Sequence, residues 1–219
     1  LYVRNSPYYV GFDTHGGRGI SIGHMKTRNV AFGVNFEHAT GGGDNVTVED
    51  FTLGTFDLEG VDSSIHKVNA AFGFDARSGA GEIASRISIG SGVIRKHGHS
   101  DSGDGINWFT NGGAIYIRDV TGITFGNIQF VDCHRRGIRF VGDVKAVAFG
   151  NLSCIDLVSD GGIQEFIGTQ STTVHGAISN VAMRGAAGTM FNIATPTGSY
   201  GLSIGETALI DGVTLGSTG

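Results

Sequence analysis

The segment GFDTHGG, Gly11–Gly17, sets an aspartate and a histidine two residues apart, Asp13 and His15. An acid and an imidazole so spaced can share a proton transfer. A second set flanks recurrent glycines: Glu59 with Asp62, Asp104 with Asn107, and Arg136 with Arg139. If these positions stack on neighbouring strands about 4.8 Å apart, the acids approach closely enough for their pKa values to diverge. A carboxylate separation of about 5–9 Å is the range used in glycoside hydrolysis. Arg136 and Arg139 suit the carboxylate or phosphate of an acidic sugar. An arginine that neutralises a uronate carboxylate also acidifies its C5 proton, which a lyase or epimerase requires. Asn35 and Asn107 are candidate ligand contacts beside them. Phe109 is a candidate sugar-stacking platform, because strand alternation turns Trp108 inward.

The run RKHGHSDSGDG, from Arg95, holds two histidines and two aspartates. A closed metal site needs three or four converging ligands, and this run reads as a loop. No metal site and no cofactor are assigned, with Ca2+ the one ion left open. HGGRG, from His15, lacks the Lys-Ser/Thr ending and following helix of a phosphate loop.

Positioning these residues requires a repeating scaffold, and the chain carries one. GITFGNIQFVDC and AVAFGNLSCIDL share an FGN core at Phe125-Gly126-Asn127 and Phe149-Gly150-Asn151. Related segments begin at Gly19, Asn45, Arg86, Ser171 and Gly201. Each reads as a short alternating strand, a polar or glycine corner and a second strand. A third element then opens with glycine and an apolar residue, at Gly11, Gly33, Gly60, Gly105, Gly137, Gly162 and Gly188. Period-two alternation turns Phe12, Val34, Val61, Ile106, Ile138, Ile163 and Thr189 to the core. Glu165, two places beyond Ile163, is the misfit of that ladder. The opposite face carries Asp13, Asn35, Asp62, Asn107, Arg139, Gln164 and Met190, the pattern of an exposed polar column. The reading is an all-β solenoid of parallel strands, with Asn at the FGN corner in left-handed backbone and bonded to the next coil. Loop insertions are expected over about 66–85, 95–104 and 110–121, rising as walls round the polar column. A two-sheet sandwich is the competing architecture.

Composition agrees. The 219 residues are 40% hydrophobic and only 16% charged, with 38 glycines and 2 prolines. Many glycines beside many β-branched residues favour short strands and tight turns. A net charge of −5 without a basic run argues against nucleic acid. No apolar stretch approaches the roughly 18 residues of a membrane span. Cys133 and Cys154 fall out of register when the FGN copies are aligned, which argues against a disulfide.

This coil pattern resembles the right-handed parallel β-helix of the pectate-lyase-like superfamily, which includes polysaccharide lyases, hydrolases, C5-epimerases and bacteriophage tailspikes. The resemblance spans Gly11 to about Leu215. It implies a single domain over 1–219 of about seven coils with three short strands each, cut from a longer chain. YYVGFDTHGG is also similar to the Tyr-Gly-Phe-Asp-Pro-His signature of mannuronan C5-epimerases at Tyr9, Gly11, Phe12, Asp13 and His15, with Val10 interrupting Tyr-Gly and Thr14 in place of the proline. There the resemblance implies catalytic roles for Asp13 and His15. The expected function is a tailspike-type depolymerase acting on an acidic surface glycan, extracellular or on a virion surface, with a homotrimer implied by the tailspike likeness. The alternatives are a free bacterial polysaccharide lyase or C5-epimerase, and a non-enzymatic adhesin or fibre segment.

Overall fold

The structure is a computed structural model and describes residues 1–14, 16–37, 48–61, 70–75, 84–98, 113–134, 136–157, 165–185, 189–193 and 199–210. Alternating β-branched and aromatic residues give strands, and no helix occurs among the described residues. The strands are β1 (Tyr2–Thr14), β2 (Gly17–Arg18), β3 (Ser21–Glu37), β4 (Val48–Glu59), β5 (Ala70–Asp75) and β6 (Ala84–Arg95). They continue as β7 (Ile115–Phe125), β8 (Ile128–Val131), β9 (Arg136–Ile155), β10 (Glu165–Arg184), β11 (Thr189–Ile193) and β12 (Ser199–Ile210). Every described pairing is parallel.

Strand length explains the topology. β3 has 17 residues and β9 and β10 have 20 each, whereas most strands run roughly 3–10. Most of the long strands contain residues in left-handed backbone, among them Asn29 (φ 56°) in β3, Asp50 (55°) in β4, Arg86 (55°) in β6, Asp119 (51°) in β7 and Ala146 (52°) in β9. These are corners. β3 gives its first half to β4, from Ser21↔Thr52 to Thr27↔Leu58, and its second half to β5, from Phe32↔Ala70 to Glu37↔Asp75. β9 lies on β7 and then on β8 in the same way. The chain therefore turns round an axis and stacks on itself, and its parallel strands close round that axis.

The corners stack as well. Asn5, Asn29, Lys96, Asp132, Asp156 and Gly185 are all left-handed and occupy one edge. There the N–H groups of Lys96, Asp132 and Asp156 donate to the carbonyls of Val131, Ile155 and Arg184 on the following rung. Asn and Asp tolerate this backbone better than other side chains do. At Asp119 the corner also brings a carboxylate over the next rung, where Oδ1 accepts the N–H of Asp143 at 2.8 Å. That oxygen occupies the space a Cβ would need at Gly142, whose φ of 66° already favours glycine.

Columns of register-equivalent apolar residues fill the interior. One runs Phe12–Val34–Phe72–Ile115–Ile138–Ile167–Phe191. Another runs Ile22–Leu53–Ile89–Phe125–Phe149–Ile178–Ile204. Rings stack along the axis, Phe125 on Phe149 at 4.7 Å and 3° and Phe36 on Phe74 at 4.7 Å and 8°. Others meet edge to face across the interior, Phe36 with Phe51 at 4.9 Å and Phe130 with Phe166 at 5.0 Å. Offset and edge contacts of this kind add to the area that each ring removes from water.

Three expectations change. The glycine-led elements at Gly11, Gly33 and Gly137 pair as read, but the rungs between them are Ala70–Asp75 and Ile115–Arg118. Gly60 instead extends the β4 stack, its N–H bonded to the Arg95 carbonyl; Gly105, Gly162 and Gly188 lie outside the described residues. Ala70–Asp75 and Ile115–Thr121, inside the expected insertions over 66–85 and 110–121, are therefore rung, not wall. Asn127 and Asn151 are not left-handed, since the left-handed bends fall at the corner columns.

Candidate functional site

The polar column beside the Phe12–Phe191 ladder is Asp13–Asn35–Gly73–Tyr116–Arg139–Gly168–Asn192. It is not the exposed sheet face that alternation predicts. Asn35, Tyr116 and Arg139 are 4%, 4% and 2% exposed. Met190, expected on this outer face, is buried in the core. At the head of the column Asp13 is exposed, and its Oδ1 accepts a hydrogen bond from Nδ2 of Asn35 at 3.0 Å. Thr14 folds back on its own turn, its hydroxyl bonded to both the N–H and the carbonyl of Gly16. His15 lies outside the described residues.

Arg136 and Arg139 do stand together, and their partner is the misfit acid. Glu165 pairs in register with Arg136, not with Phe140, and its side chain is wholly buried. Its Oε1 accepts from Nε of Arg136 at 2.5 Å and from Nη1 of Arg139 at 2.6 Å. Its Oε2 accepts from Nδ2 of Asn192 on the following rung. The carboxylate thus joins three rungs. It lies across Gly168, where a Cβ would land on Oε1. Burial, with the neighbouring charge of Arg136, pushes the Arg139 guanidinium below its ordinary pKa, and Nε of Arg139 has no partner. With both arginines engaged and so little exposed, this cluster locks rungs together rather than offering cations to a ligand.

Glu59 sits in a different network. It pairs with Nε of Arg28 at 3.2 Å and with Nζ of Lys96 at 3.4 Å. Beside it Asp57 binds Nη2 of Arg28 at 2.6 Å and Nη1 of Arg95. Partial burial would raise the Asp57 pKa, but the hydrogen bond from Arg28 and the charge of Arg95 outweigh it and hold the pKa below the usual carboxylate value. Among the described residues no contact joins Glu59 to Arg136 or Arg139. Asp62, Asp104, Asn107 and Phe109 lie outside the described residues. Asp57, Arg28 and Arg95 are not among the residues that the sequence singles out as a site. The signal was available: Lys26/Arg28, Asp57/Glu59 and Arg95 hold alternate positions of successive repeats, with opposite charges in register.

The same sheet bears a neutral ladder further along. Asn127 N–H donates to Oγ of Ser91 at 2.9 Å, and Asn151 N–H donates to Oδ1 of Asn127 at 2.8 Å. Asn180 Nδ2 donates to Oδ1 of Asn151 at 2.7 Å, and Glu206 N–H donates to Oδ1 of Asn180 at 3.0 Å. The expected bond between the FGN asparagines is present, and the SNVA segment extends it. Beside the ladder Gln129, Ser153, Ala182 and Ala208 are in register. Small side chains there leave an open trough of about 480 Å³ over β8, β9, β10 and β12.

His97, from the histidine-rich run, points into the interior. It is 0% exposed, and neither ring nitrogen has a hydrogen-bond partner. Burial, helped by His134, lowers its pKa to about 3. Cys133, also buried, has its thiol pushed up to about 12 by burial, and both cysteines are free. Among the described residues no cluster of three His, Cys, Asp or Glu could hold a metal ion, and no helix is long and apolar enough to cross a membrane.

Comparison of the chain with known protein families, with curated proteins and with solved structures returned no match.

Proposed function

We propose that the chain is a right-handed parallel β-helix of about seven three-sided coils that binds a polysaccharide of a cell or capsule surface. The observation that carries this reading is the trough over β8, β9, β10 and β12, which crosses four successive rungs along the stacking direction. A groove that repeats rung by rung suits a polymer that repeats residue by residue. Its lining of amides, the hydroxyls of Ser153 and Thr207, and small side chains offers hydrogen bonds without a deep pocket. Affinity electrophoresis through gels cast with soluble polysaccharides tests it. Retardation by at least one of them is expected, and unchanged mobility in all of them would remove the reading.

Asp13 favours a depolymerase over a pure binding segment. It is an exposed carboxylate oriented by a buried amide, next but one to His15 in sequence. On this reading Asp13 and His15 carry proton transfer in a tailspike-type enzyme that cleaves the bound chain. A reducing-end assay and an absorbance assay for unsaturated uronate, run on the retained polysaccharides, separate hydrolase from lyase. Asp13→Asn is expected to abolish whichever activity is found. Full activity in that variant would leave the binding function alone.

A further inference from the structure

We infer that the trough recognises a neutral, hydroxyl-rich glycan by donating hydrogen bonds to its oxygens, with the side-chain amides of Asn127, Asn151 and Asn180 as the donors. This rests on the carbohydrate-binding reading above and assigns its ligand class and polarity.

The orientation of these amides follows from their partners. A backbone N–H can only donate, so the atom it meets must be an oxygen. Asn151 N–H meets Asn127, and Glu206 N–H meets Asn180. Both side chains therefore turn oxygen toward the neighbouring rung, which fixes where their NH2 groups lie. Asn180 Nδ2 in turn meets Oδ1 of Asn151, which fixes Asn151 as well. Each carbonyl oxygen is thus engaged within the ladder. Each NH2 carries a pair of hydrogens, and only Asn180 uses one of them on another described residue. What the ladder leaves for a ligand is mainly donors.

Charge narrows the ligand class. Among the described residues no lysine or arginine lines the trough, and Glu206 is its single ionisable residue. The chain as a whole carries −5. A polyanion would meet repulsion here and no cation to offset it. Hydroxyl and ring oxygens accept from amides without that cost. The floor of Ser153, Ala182 and Ala208 leaves room for a sugar ring to approach the donors.

The test uses the full chain with dextran, mannan and galactan as neutral probes and alginate and polygalacturonate as acidic ones. Asn127→Asp and Asn151→Asp keep an oxygen for the neighbouring rung but replace the outward NH2 with an acceptor. Both variants are expected to keep the wild-type melting temperature within a few degrees. Each is expected to bind a neutral polysaccharide about tenfold more weakly, the loss of roughly one ligand hydrogen bond. Tighter binding of an acidic than a neutral polysaccharide by the wild-type chain would overturn the inference. So would neutral binding that both variants leave unchanged, while the carbohydrate reading would survive either result. No retention by any probe would overturn both.

Discussion

Oε1 of Glu165 lies 2.6 Å from Nη1 of Arg139, and neither side chain has appreciable contact with water. Arg136 shares the same oxygen. Burying an ion pair costs desolvation that the pairing only just offsets, but removing one partner leaves a buried charge alone. Glu165→Gln is therefore expected to lower unfolding free energy by about 3 kcal/mol, read as a drop in the urea midpoint. Joint replacement by Glu165→Leu and Arg139→Leu should cost less than the single change. A single variant of wild-type stability would refute the description of this cluster as a lock.

Gly168 depends on the same carboxylate. Its backbone is not left-handed, so alanine meets no conformational barrier there. The main obstacle is Oε1 of Glu165 in the place of the Cβ, with Nη1 of Arg139 at 2.9 Å from it. Gly168→Ala is expected to cost on the order of 2 kcal/mol in the wild-type chain. In a Glu165→Ala background, where only the flexible end of Arg139 remains near the Cβ, the added cost should shrink to less than half. Equal costs in both backgrounds would show that the two positions are uncoupled.

His97 makes stability depend on pH in a definite direction. Its pKa is about 3 when folded, against about 6.5 in an unfolded chain. Between these values the unfolded chain binds a proton that the folded one refuses. The neutral ring does no harm above about pH 6.5, and stability falls as pH drops below that, by about 1.4 kcal/mol per pH unit. Carboxylates add their own acid losses: Asp50, held down to about 2 by its hydrogen bonds from Arg86 and Arg18, contributes only below about pH 4. The cleaner measurement is the difference between the wild-type chain and His97→Leu, whose stability curve should be flatter from pH 6 to 4.5. Parallel curves would place His97 in contact with water.

The stacked rings of Phe125 and Phe149 join consecutive rungs of the core. Phe149→Ala should cost roughly 3–5 kcal/mol, as expected for a fully buried ring whose cavity cannot collapse. Thermal unfolding followed by near-ultraviolet circular dichroism reads it, and a loss below about 1 kcal/mol would contradict the packing.

The repeat was legible because two FGN copies align in register and apolar residues alternate around them. The rung identities were harder to read. Gly11, Gly33 and Gly137 suggested that glycine opens each third element, yet none of these three is left-handed. Ala71 and Ala114 hold the equivalent place, and Phe166 follows them; at Gly33 and Gly137 glycine answers to crowding, since a Cβ would meet the Ala71 carbonyl or the Phe166 ring. The conformational signal lay instead in Asn5, Asn29, Asp132 and Asp156, ordinary-looking polar residues at the left-handed corner. The site was read least well. Alternation separates inner from outer faces along most rungs, Phe166 and Met190 excepted, but it does not say whether an outer face is open to water. Arg139 and Asn35, which alternation places on an exposed face, are buried, while Glu165, out of pattern in the apolar ladder, supplies the acid that holds the arginines.

Among the described residues each rung grips the one before and the one after it, through parallel backbone bonds, stacked corners and in-register side chains. Tension applied along the axis would find no clasp that spans the whole length. The outermost turn would peel away first and expose a fresh edge identical in kind, so rupture should proceed as a ratchet of small steps and reseal in reverse order.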